Sequence, residues 1–430
     1  MDSIKAGGFK LSKQQRSAFE NIVEFVDREG FNSNKIYLLS GYSGTGKTTI
    51  VKYLRDHFKH ETIAYTAPTN KATKVIKKIL GKDAECRTIF SLLGIKMVAD
   101  EDLKKLEFPR IPSDLSDFDI IFVDEISMVN EALYDYIKLR SHSYTAKWIF
   151  LGDKAQIPPV GEIKSKVWLD SLPKSSLTKV MRHDNQILNL ATHIRKQIRA
   201  YPKLDLRLKS DHDASQGVWK YKPNKFKEYI AKAAKQGLFT ELDNTKVIAW
   251  RNEKVREYNG IVRQNIFGSI AEAEQWLVSD RVLIASPVEY QGAVIAHIDD
   301  EGTIVGSEVT YHSIYREFDC YILKVKLDDS KLLVLNVIHP NSVESFNQRL
   351  SDLALDAKKD RTKWKHFWAL KTSFNMLRHS YCITAHRGQG STFVNTFVDS
   401  RDILDNPSTI EALQCLYVAC TRPTTRLILL

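Results

Sequence analysis

The sequence predicts an α/β fold built on parallel sheets, and three observations carry that prediction. Short apolar runs, each closed by a polar cluster and followed by a helical pattern, recur over about the first 180 residues. One of these junctions is a glycine-rich turn that ends in Lys47-Thr48. A second series of similar runs fills the C-terminal half and is interrupted from about Asp280 to Asn375 by segments of a different rhythm. Alternating strands and helices, with strands apolar on both faces, make a parallel sheet covered on both sides.

The first series is Ile36-Tyr37-Leu38-Leu39, Ile63-Ala64-Tyr65, Ile120-Ile121-Phe122-Val123 and Trp148-Ile149-Phe150-Leu151. Runs this short, rich in β-branched and aromatic residues, read as strands. After the glycine-rich turn a helix sets Ile50, Leu54 and Phe58 on one face. The second series is Lys246-Val247-Ile248-Ala249-Trp250, Tyr381-Cys382-Ile383-Thr384, Phe393 through Val398, and Leu427-Ile428-Leu429-Leu430, which predicts a second α/β body. In the interruption, Arg281-Val282-Leu283-Ile284, Gly302-Thr303-Ile304-Val305, Cys320 through Val325 and Lys331 through Leu335 are joined by turns such as Asp328-Asp329-Ser330. That spacing suits a small antiparallel barrel. Beyond Pro340 the pattern turns helical, with Val343, Phe346, Leu350 and Leu353 on one face.

Composition bounds the function. At 430 residues the chain is about three domain-lengths of roughly 150 residues. With 43% hydrophobic and 27% charged residues it is neither disordered, collagenous nor membrane-embedded. The 63 Lys and Arg exceed the 52 Asp and Glu by 11, which fits a polyanionic partner or a basic surface with dispersed charge. The five cysteines cannot all pair, no two have C-x-x-C spacing and no His pair supplies the other half of a zinc site, so a reducing cytoplasm is expected. Met1-Asp2-Ser3-Ile4-Lys5 lacks an apolar signal core, and no stretch approaches about 18 apolar residues, so no membrane partner is expected.

The strongest chemical signal is Gly41-Tyr42-Ser43-Gly44-Thr45-Gly46-Lys47-Thr48, which fits G-x-x-x-x-G-K-[ST] between a strand and a helix. Gly44, Thr45, Gly46 and Thr49 let backbone N–H groups close around a phosphate, Lys47 reaches the β- and γ-phosphates, and Thr48 ligates Mg²⁺. The plain alternative is a glycine-rich turn that holds nothing. Asp124-Glu125 follow a strand, so one carboxylate can hold the Mg²⁺ water shell while the other orients or deprotonates the attacking water. Taken alone, the pair also reads as helix N-terminal charge. Gly152-Asp153-Lys154-Ala155-Gln156-Ile157-Pro158-Pro159-Val160-Gly161 follows the next strand and offers Gln156 as an amide that senses the γ-phosphate. These residues predict a nucleoside triphosphatase that uses Mg²⁺.

In this order they resemble the superfamily 1 helicases, and within them the RecD-like branch with its Dda-type bacteriophage members. Leu11-Ser12-Lys13-Gln14-Gln15 looks like the adenine-reading motif, with Gln15 as the base-binding amide. Ala67-Pro68-Thr69-Asn70-Lys71-Ala72 resembles the motif that touches the single strand. Asp124-Glu125-Ile126-Ser127-Met128 is similar to the D-E-x-S-M segment, and Leu177-Thr178-Lys179-Val180-Met181-Arg182 to the motif whose arginine meets the γ-phosphate. Ala249-Trp250-Arg251-Asn252, with Val255 and Asn259, is similar to a weaker A-x-T-N element. Thr384 through Ser391, with Gln389 and Gly390 on the nucleotide side, and Tyr417 through Arg422 resemble the last two motifs. Three departures stand out: Phe90 replaces the His of T-I-H, Arg251 replaces the Thr of A-x-T-N, and Asp299-Asp300-Glu301-Gly302 stands where N-G-x-x-G is usual.

The resemblance implies two RecA-like P-loop domains, one over 1–183 with a hairpin pin at about 95–112, the other over 184–279 and 376–430. An SH3-like β-barrel with a helical arm occupies 280–375. It further implies ATP as the nucleotide, 5′-to-3′ travel on single-stranded DNA, unwinding of forked DNA, action as a monomer in the cytoplasm (that of the host if phage-encoded), and association with single-strand-binding, recombination or replication proteins. Arg182 and Arg422 are expected at the γ-phosphate in a cleft between domains, because a guanidinium offers directed donors to the charge that develops in phosphoryl transfer. Each also reads as an ordinary ion-pair arginine. Candidate contacts to nucleic acid are Pro68, Thr69, Asn70, Lys71, Phe90, Phe108, Thr384 and His386. Lys71, Lys74 and Lys78 form one helical face, opposite Ala72, Val75 and Ile79, and read as phosphate contacts or as a solvated face. Phe108 is the candidate pin tip. The run from Lys358 to Trp368 reads as a contact to DNA or to the pin, or as aromatic packing of a helix. Other P-loop enzymes, namely a nucleotide kinase or an RNA-directed translocase, and a non-catalytic polyanion-binding module remain the alternatives.

Overall fold

A computed structural model describes residues 11–28, 34–81, 83–100, 103–180, 186–201, 205–213, 215–291 and 293–430. They form two compact units. The first comprises Met1–Lys220, Gly388–Thr392 and Ile403–Leu427; the second comprises Tyr221–Arg387, Phe393–Asp402 and Ile428–Leu430.

The first unit opens with α1 (Lys13–Asp27), started by a capping box in which Ser12 and Gln15 satisfy each other's backbone N–H groups. Then come β1 (Ile36–Gly41), α2 (Lys47–His57), β2 (Ile63–Ala67), α3 (Asn70–Leu80), β3 (Glu85–Thr88) and α4 (Ile89–Leu93). A hairpin of β4 (Lys96–Asp100) and β5 (Leu103–Glu107) follows, then β6 (Ile120–Val123), α5 (Glu131–Ser143), β7 (Lys147–Gly152), β8 (Lys174–Leu177) and α6 (Gln186–Ala200). The short pair β9 (Asp211–His212) and β10 (Gly217–Lys220) is antiparallel.

Six strands make one parallel sheet in the order β3-β2-β6-β7-β1-β8. Because successive side chains point to opposite faces, each strand feeds two cores. Tyr37, Leu39, Phe122 and Ile149 bury on one face with Phe19 and Ile22 of α1 and Ile50 and Leu54 of α2. Leu38, Ile121, Val123 and Trp148 bury on the other with Leu133, Tyr134 and Ile137 of α5. The doubly apolar runs read from the sequence are these strands. The order puts the carboxyl ends of β1, β6 and β7 side by side, which is where a doubly wound sheet binds ligands.

In the second unit α7 (Pro223–Lys235), β11 (Thr245–Ala249), α8 (Asn252–Phe267) and α9 (Ile270–Ala273) lead to the inserted strands β12 (Arg281–Ile284), β13 (Val288–Tyr290), β14 (Ala293–Ala296), β15 (Glu301–Tyr311), β16 (Asp319–Leu327) and β17 (Leu332–Ile338). Helices α10 (Val343–Lys359) and α11 (Trp364–Thr372) precede β18 (Leu377–His379), β19 (Cys382–Thr384), β20 (Phe393–Val398) and α12 (Ser400–Leu404). The chain ends in α13 (Thr409–Cys420) and β21 (Pro423–Leu429). Strand β11 pairs in parallel with both β19 and β20. The insertion is antiparallel, as its turns predict, in the order β17-β16-β15-β12-β18. On the arm, Phe346, Leu350 and Leu353 pack against Phe318, Leu370 and Phe374, whereas Val343, expected with them, is 40% exposed in the first turn of α10.

One departure from the usual motif, Arg251, acquires a local reason here, and a matching residue, Asn259, shows its task. Arg251 caps α8 with no side-chain acceptor of its own, and Asp402 takes over that task, accepting from the Trp250 N–H at 2.7 Å and the Arg251 N–H at 2.9 Å. Asn259 fastens α8 to β19, accepting from the Cys382 N–H at 2.9 Å and donating to the Cys382 carbonyl at 3.2 Å. The entry to the insertion is held by a buried carboxylate. Asp280 accepts from Arg263 Nε at 3.0 Å, the Tyr381 hydroxyl at 3.0 Å and the Leu277 N–H at 2.9 Å.

Removing one partner of a buried ion pair leaves the other charge uncompensated. We therefore expect Asp280→Ala to cost about 3–5 kcal/mol of unfolding free energy, read by urea denaturation, with Asp280→Asn losing less because it keeps hydrogen-bonding capacity.

Candidate nucleotide site

The phosphate loop folds as its glycines dictate. Gly44 and Gly46 have φ of 77° and 78°, a region that glycine enters without a Cβ clash, and a Cβ on Gly46 would run into the Gln15 amide. Thr45 is buried and donates its hydroxyl to the Tyr42 carbonyl at 2.8 Å. Lys47, Thr48 and Thr49 open α2, so the helix N-terminus faces the loop. The Lys47 ammonium lies over the loop, donating to the carbonyls of Gly41 at 2.9 Å and Tyr42 at 3.2 Å. Gln15 is 4% exposed and held at both ends: its amide donates to the Thr45 carbonyl at 3.1 Å and accepts from the Ser12 N–H at 2.9 Å. In this arrangement it ties α1 to the loop.

Asp124 and Glu125 end β6. Asp124 accepts from the Glu125 N–H at 2.8 Å, and Glu125 holds a left-handed φ of 52°, a strained conformation for a residue with a side chain. Burial pushes the Glu125 carboxyl up to about 7 and Asp124 adds to the rise, while Arg422 and Lys47 oppose it. Burial raises Asp124 as well, against Lys47 and the Glu125 N–H. Two desolvated carboxyls within electrostatic reach of Lys47, the residue that precedes Thr48, offer hard oxygen donors of the kind that suit Mg²⁺.

The remaining motif residues of this unit converge on the loop after β7. Gln156 is 6% exposed and accepts from the Ser127 hydroxyl at 3.0 Å, joining two motifs. Gln389 donates to the Ile157 carbonyl at 3.1 Å, and Gly390, at φ 71°, leaves room for only 3.2 Å between its would-be Cβ and that of Ala72 at the start of α3. Arg422 is 6% exposed and anchored on the carbonyls of Val418 at 2.9 Å and Ser391 at 3.0 Å, from where its charge pulls Glu125 down.

Sequence reasoning missed Asp153, Arg195 and Tyr417 as a set. All three are at least nine-tenths buried, and they pair with one another and with the Ser43 N–H. The signal in the sequence was an arginine on the apolar stripe of α6, beside Ile187, Ala191 and Ile194.

The candidate nucleic-acid contacts are scattered. Thr69 caps α3, accepting from the Ala72 N–H at 3.2 Å; Pro68 is buried and Asn70 and Lys71 are half-buried. The buried stripe of α3 is Ala72, Thr73, Ile76 and Leu80, not Ala72, Val75 and Ile79. Val75 and Ile79 are 36% and 43% exposed, because the helix turns them onto the face that carries Lys74 and Lys78. Phe90 in α4 packs partly against the core. The expected hairpin is present, but Phe108 is not its tip. The strands pair from Lys96↔Glu107 to Asp100↔Leu103, so the chain reverses between Asp100 and Leu103. Phe108 therefore lies at the open end, with its ring 4.8 Å from that of Tyr136. In the second unit Thr384 ends β19 and accepts from the Arg387 N–H at 3.3 Å, and His386 is half-buried. Arg182 lies outside the described residues. On α11, Trp364 and Phe367 are half-buried and in edge contact, and Trp368 is exposed.

A strand-to-helix phosphate loop beside an acidic strand end on a parallel sheet defines a P-loop nucleoside triphosphatase. A family model described as an AAA domain matches residues 10–214. The chain is 25% identical to the ATP-dependent DNA helicase dda of Enterobacteria phage T4 over 96% of this chain and 97% of that one. Its fold is that of Pif1 helicase structures. One, of two Pif1 helicases at forked double-stranded DNA, has a TM-score of 0.54 at 16% identity; another, from Bacteroides with ADP-AlF3 and single-stranded DNA, has 0.51 at 15%. Both cover 98% of this chain and 92% of theirs. Along nearly its whole length the chain is thus similar to the Dda helicase, and it shares its fold with Pif1 helicase structures.

The raised Glu125 pKa has a consequence for stability. Relative to an ordinary 4.5, a folded value of about 7 gives a contribution that is complete below 4.5 and lost as pH rises through 7. Glu125→Gln carries no such loss. Its melting temperature should match the native protein near pH 5 and exceed it by about 3 °C or more at pH 8, in paired thermal melts.

Proposed function

We infer that this chain is an ATP-dependent DNA helicase that couples ATP hydrolysis to movement along single-stranded DNA and to separation of a duplex. The observation that carries the reading is the meeting, at one sheet edge, of Lys47, the Asp124-Glu125 pair, Gln156 and the anchored Arg422. The end-to-end likeness to a DNA helicase supports it. A nucleotide kinase would not need Arg422, from the far end of the chain, at this place.

In the proposed mechanism Lys47 leaves its two loop carbonyls for the β- and γ-phosphates, and the N–H groups of Gly44 through Thr49 close around them. Thr48 and Asp124 would hold Mg²⁺, whose chemistry is to neutralise the β- and γ-oxygens. Glu125, with a pKa near 7, is suited to take a proton from the attacking water. Arg422, and Arg182 by family likeness, stabilise charge on the transferring phosphoryl group. Gln156 passes the state of the γ-phosphate to Ser127. Gln389 and Gly390 border the nucleotide, and Gln15 contributes by bracing the loop or, in a rearranged state, by reading the base.

Pro68, Thr69, Asn70 and Lys71 on one side, and Thr384 and His386 on the other, are proposed to grip the strand alternately in 5′-to-3′ travel. Phe90 is proposed as a base contact. The β4–β5 hairpin is proposed as the pin, and the inserted sheet with its arm as an SH3-like domain. Forked DNA as substrate, work in a cytoplasm, and contacts with replication or recombination proteins complete the proposal.

Hydrolysis should rise on adding single-stranded DNA; no stimulation would reject the helicase reading, and no hydrolysis at all would favour a binding module. Lys47→Ala should lower turnover at least about 100-fold while single-strand affinity stays within about twofold, since the lysine meets nucleotide and not DNA. Arg422→Ala should lower kcat far more than it weakens ATP binding, as steady-state kinetics beside equilibrium nucleotide titration would show.

A further inference from the structure

The upstream half of the phosphate loop is fastened by a buried network that no nucleotide motif announces. The Ser43 N–H donates to Asp153 Oδ2 at 3.1 Å and reaches the Tyr417 hydroxyl at 3.3 Å. That hydroxyl donates to the same Asp153 oxygen at 2.6 Å. Arg195 Nη1 pairs with Asp153 Oδ1 and donates to the Tyr417 hydroxyl at 3.3 Å. The Arg195 guanidinium also lies over the loop itself, with its central carbon 3.6 Å from the centre of the Tyr42 ring, and Arg199 approaches the same ring at 5.5 Å. Asp153 is 0% exposed, Tyr417 2% and Arg195 6%.

This wiring divides the loop. A phosphate cradle works through free N–H donors, and that of Ser43 is committed to Asp153 and Tyr417. The Thr45 N–H is also engaged, by the Tyr42 carbonyl at 3.3 Å, so grip on the nucleotide falls to the other donors from Gly44 through Thr49, whose direction is set by how Tyr42 and Ser43 are held. One planar guanidinium meets both requirements, stacking on the ring and pairing with the carboxylate; an ammonium cannot do both. Because Gln156 follows Asp153 by three residues and its N–H donates to the Asp153 carbonyl at 3.1 Å, the same anchor fixes the amide that faces the γ-phosphate side.

We propose that Arg195 is a positioning residue for the nucleotide, acting through Asp153, Tyr417 and the Tyr42 ring to hold the phosphate loop in its binding conformation. The proposal rests on reading the loop as an ATP site.

Two variants separate positioning from plain structural support. Arg195→Lys keeps the charge and loses the planar stack. Tyr42→Leu removes the ring while leaving the Arg195–Asp153 pair intact, and it carries the test if Arg195→Lys fails to fold. Each should raise the Kd of a fluorescent ATP analogue and the KM for ATP about tenfold, with kcat within about threefold and single-strand affinity unchanged. The double variant should be no worse than the weaker-binding single one, because both act through one contact. A folded Tyr42→Leu that binds the analogue as tightly as the native protein would overturn the proposal, as would equal losses in kcat and DNA affinity. If the native protein itself fails to bind the analogue, the ATP-site reading falls with it; native binding with unchanged variants rejects the role of Arg195 alone.

Discussion

Everything at the candidate site follows from one constraint: charges removed from water must be paired or neutralised. Three carboxyls, Asp124, Glu125 and Asp153, stand at adjacent strand ends of one parallel sheet. Arg195 satisfies Asp153 directly, and the Tyr417 hydroxyl and the Ser43 N–H complete its shell. Among the described residues no such dedicated partner meets Asp124 and Glu125; Lys47 for both, and Arg422 for Glu125, only partly offset their burial, so both carboxyls are pushed up. An edge of this kind gains most from a bound divalent cation, and the loop N–H groups and Lys47 then supply what a triphosphate needs.

The division of labour among the carboxyls explains how the site is braced and yet responsive. Asp153 is a fixed post, bound to the loop on one side and to α6 and α13 on the other. The segment that follows it carries Gln156, held by Ser127, and Ile157, held by Gln389. A change at the phosphates thus meets a connected set of hydrogen bonds from three widely separated parts of the chain. Gly390 sits against Ala72 at the start of α3, so the same set touches the helix whose exposed face carries Lys74 and Lys78.

The sheet and the phosphate loop were legible in the sequence because strand burial on both faces and the glycine spacing each have a local signature. The antiparallel insertion was legible for the same reason, through its turns. What sequence missed was tertiary. Val75 and Ile79 looked like a core face, but the start of α3 is set by the Thr69 cap and the helix rolls Ile76 and Leu80 inward instead. Phe108 looked like a tip, yet strand register, which only pairing fixes, leaves it at the open end of the hairpin. Arg195 and Tyr417 are 222 residues apart and meet only in the fold. Gln15 was expected to read the base; the structure sets it against the Thr45 carbonyl of the loop and in a capping bond with Ser12, neither of which its motif reading announced.

The chemistry of this site turns on where a nucleotide binds. A crystal structure with a non-hydrolysable ATP analogue, Mg²⁺ and a short single strand would test it most directly. The predicted result is a triphosphate in the N–H groups of Gly44 through Thr49, with Lys47 moved from the Gly41 and Tyr42 carbonyls to the β- and γ-phosphates and Glu125 and Arg422 flanking the γ-phosphate. A nucleotide bound elsewhere, with Lys47 still on those two carbonyls, would contradict it.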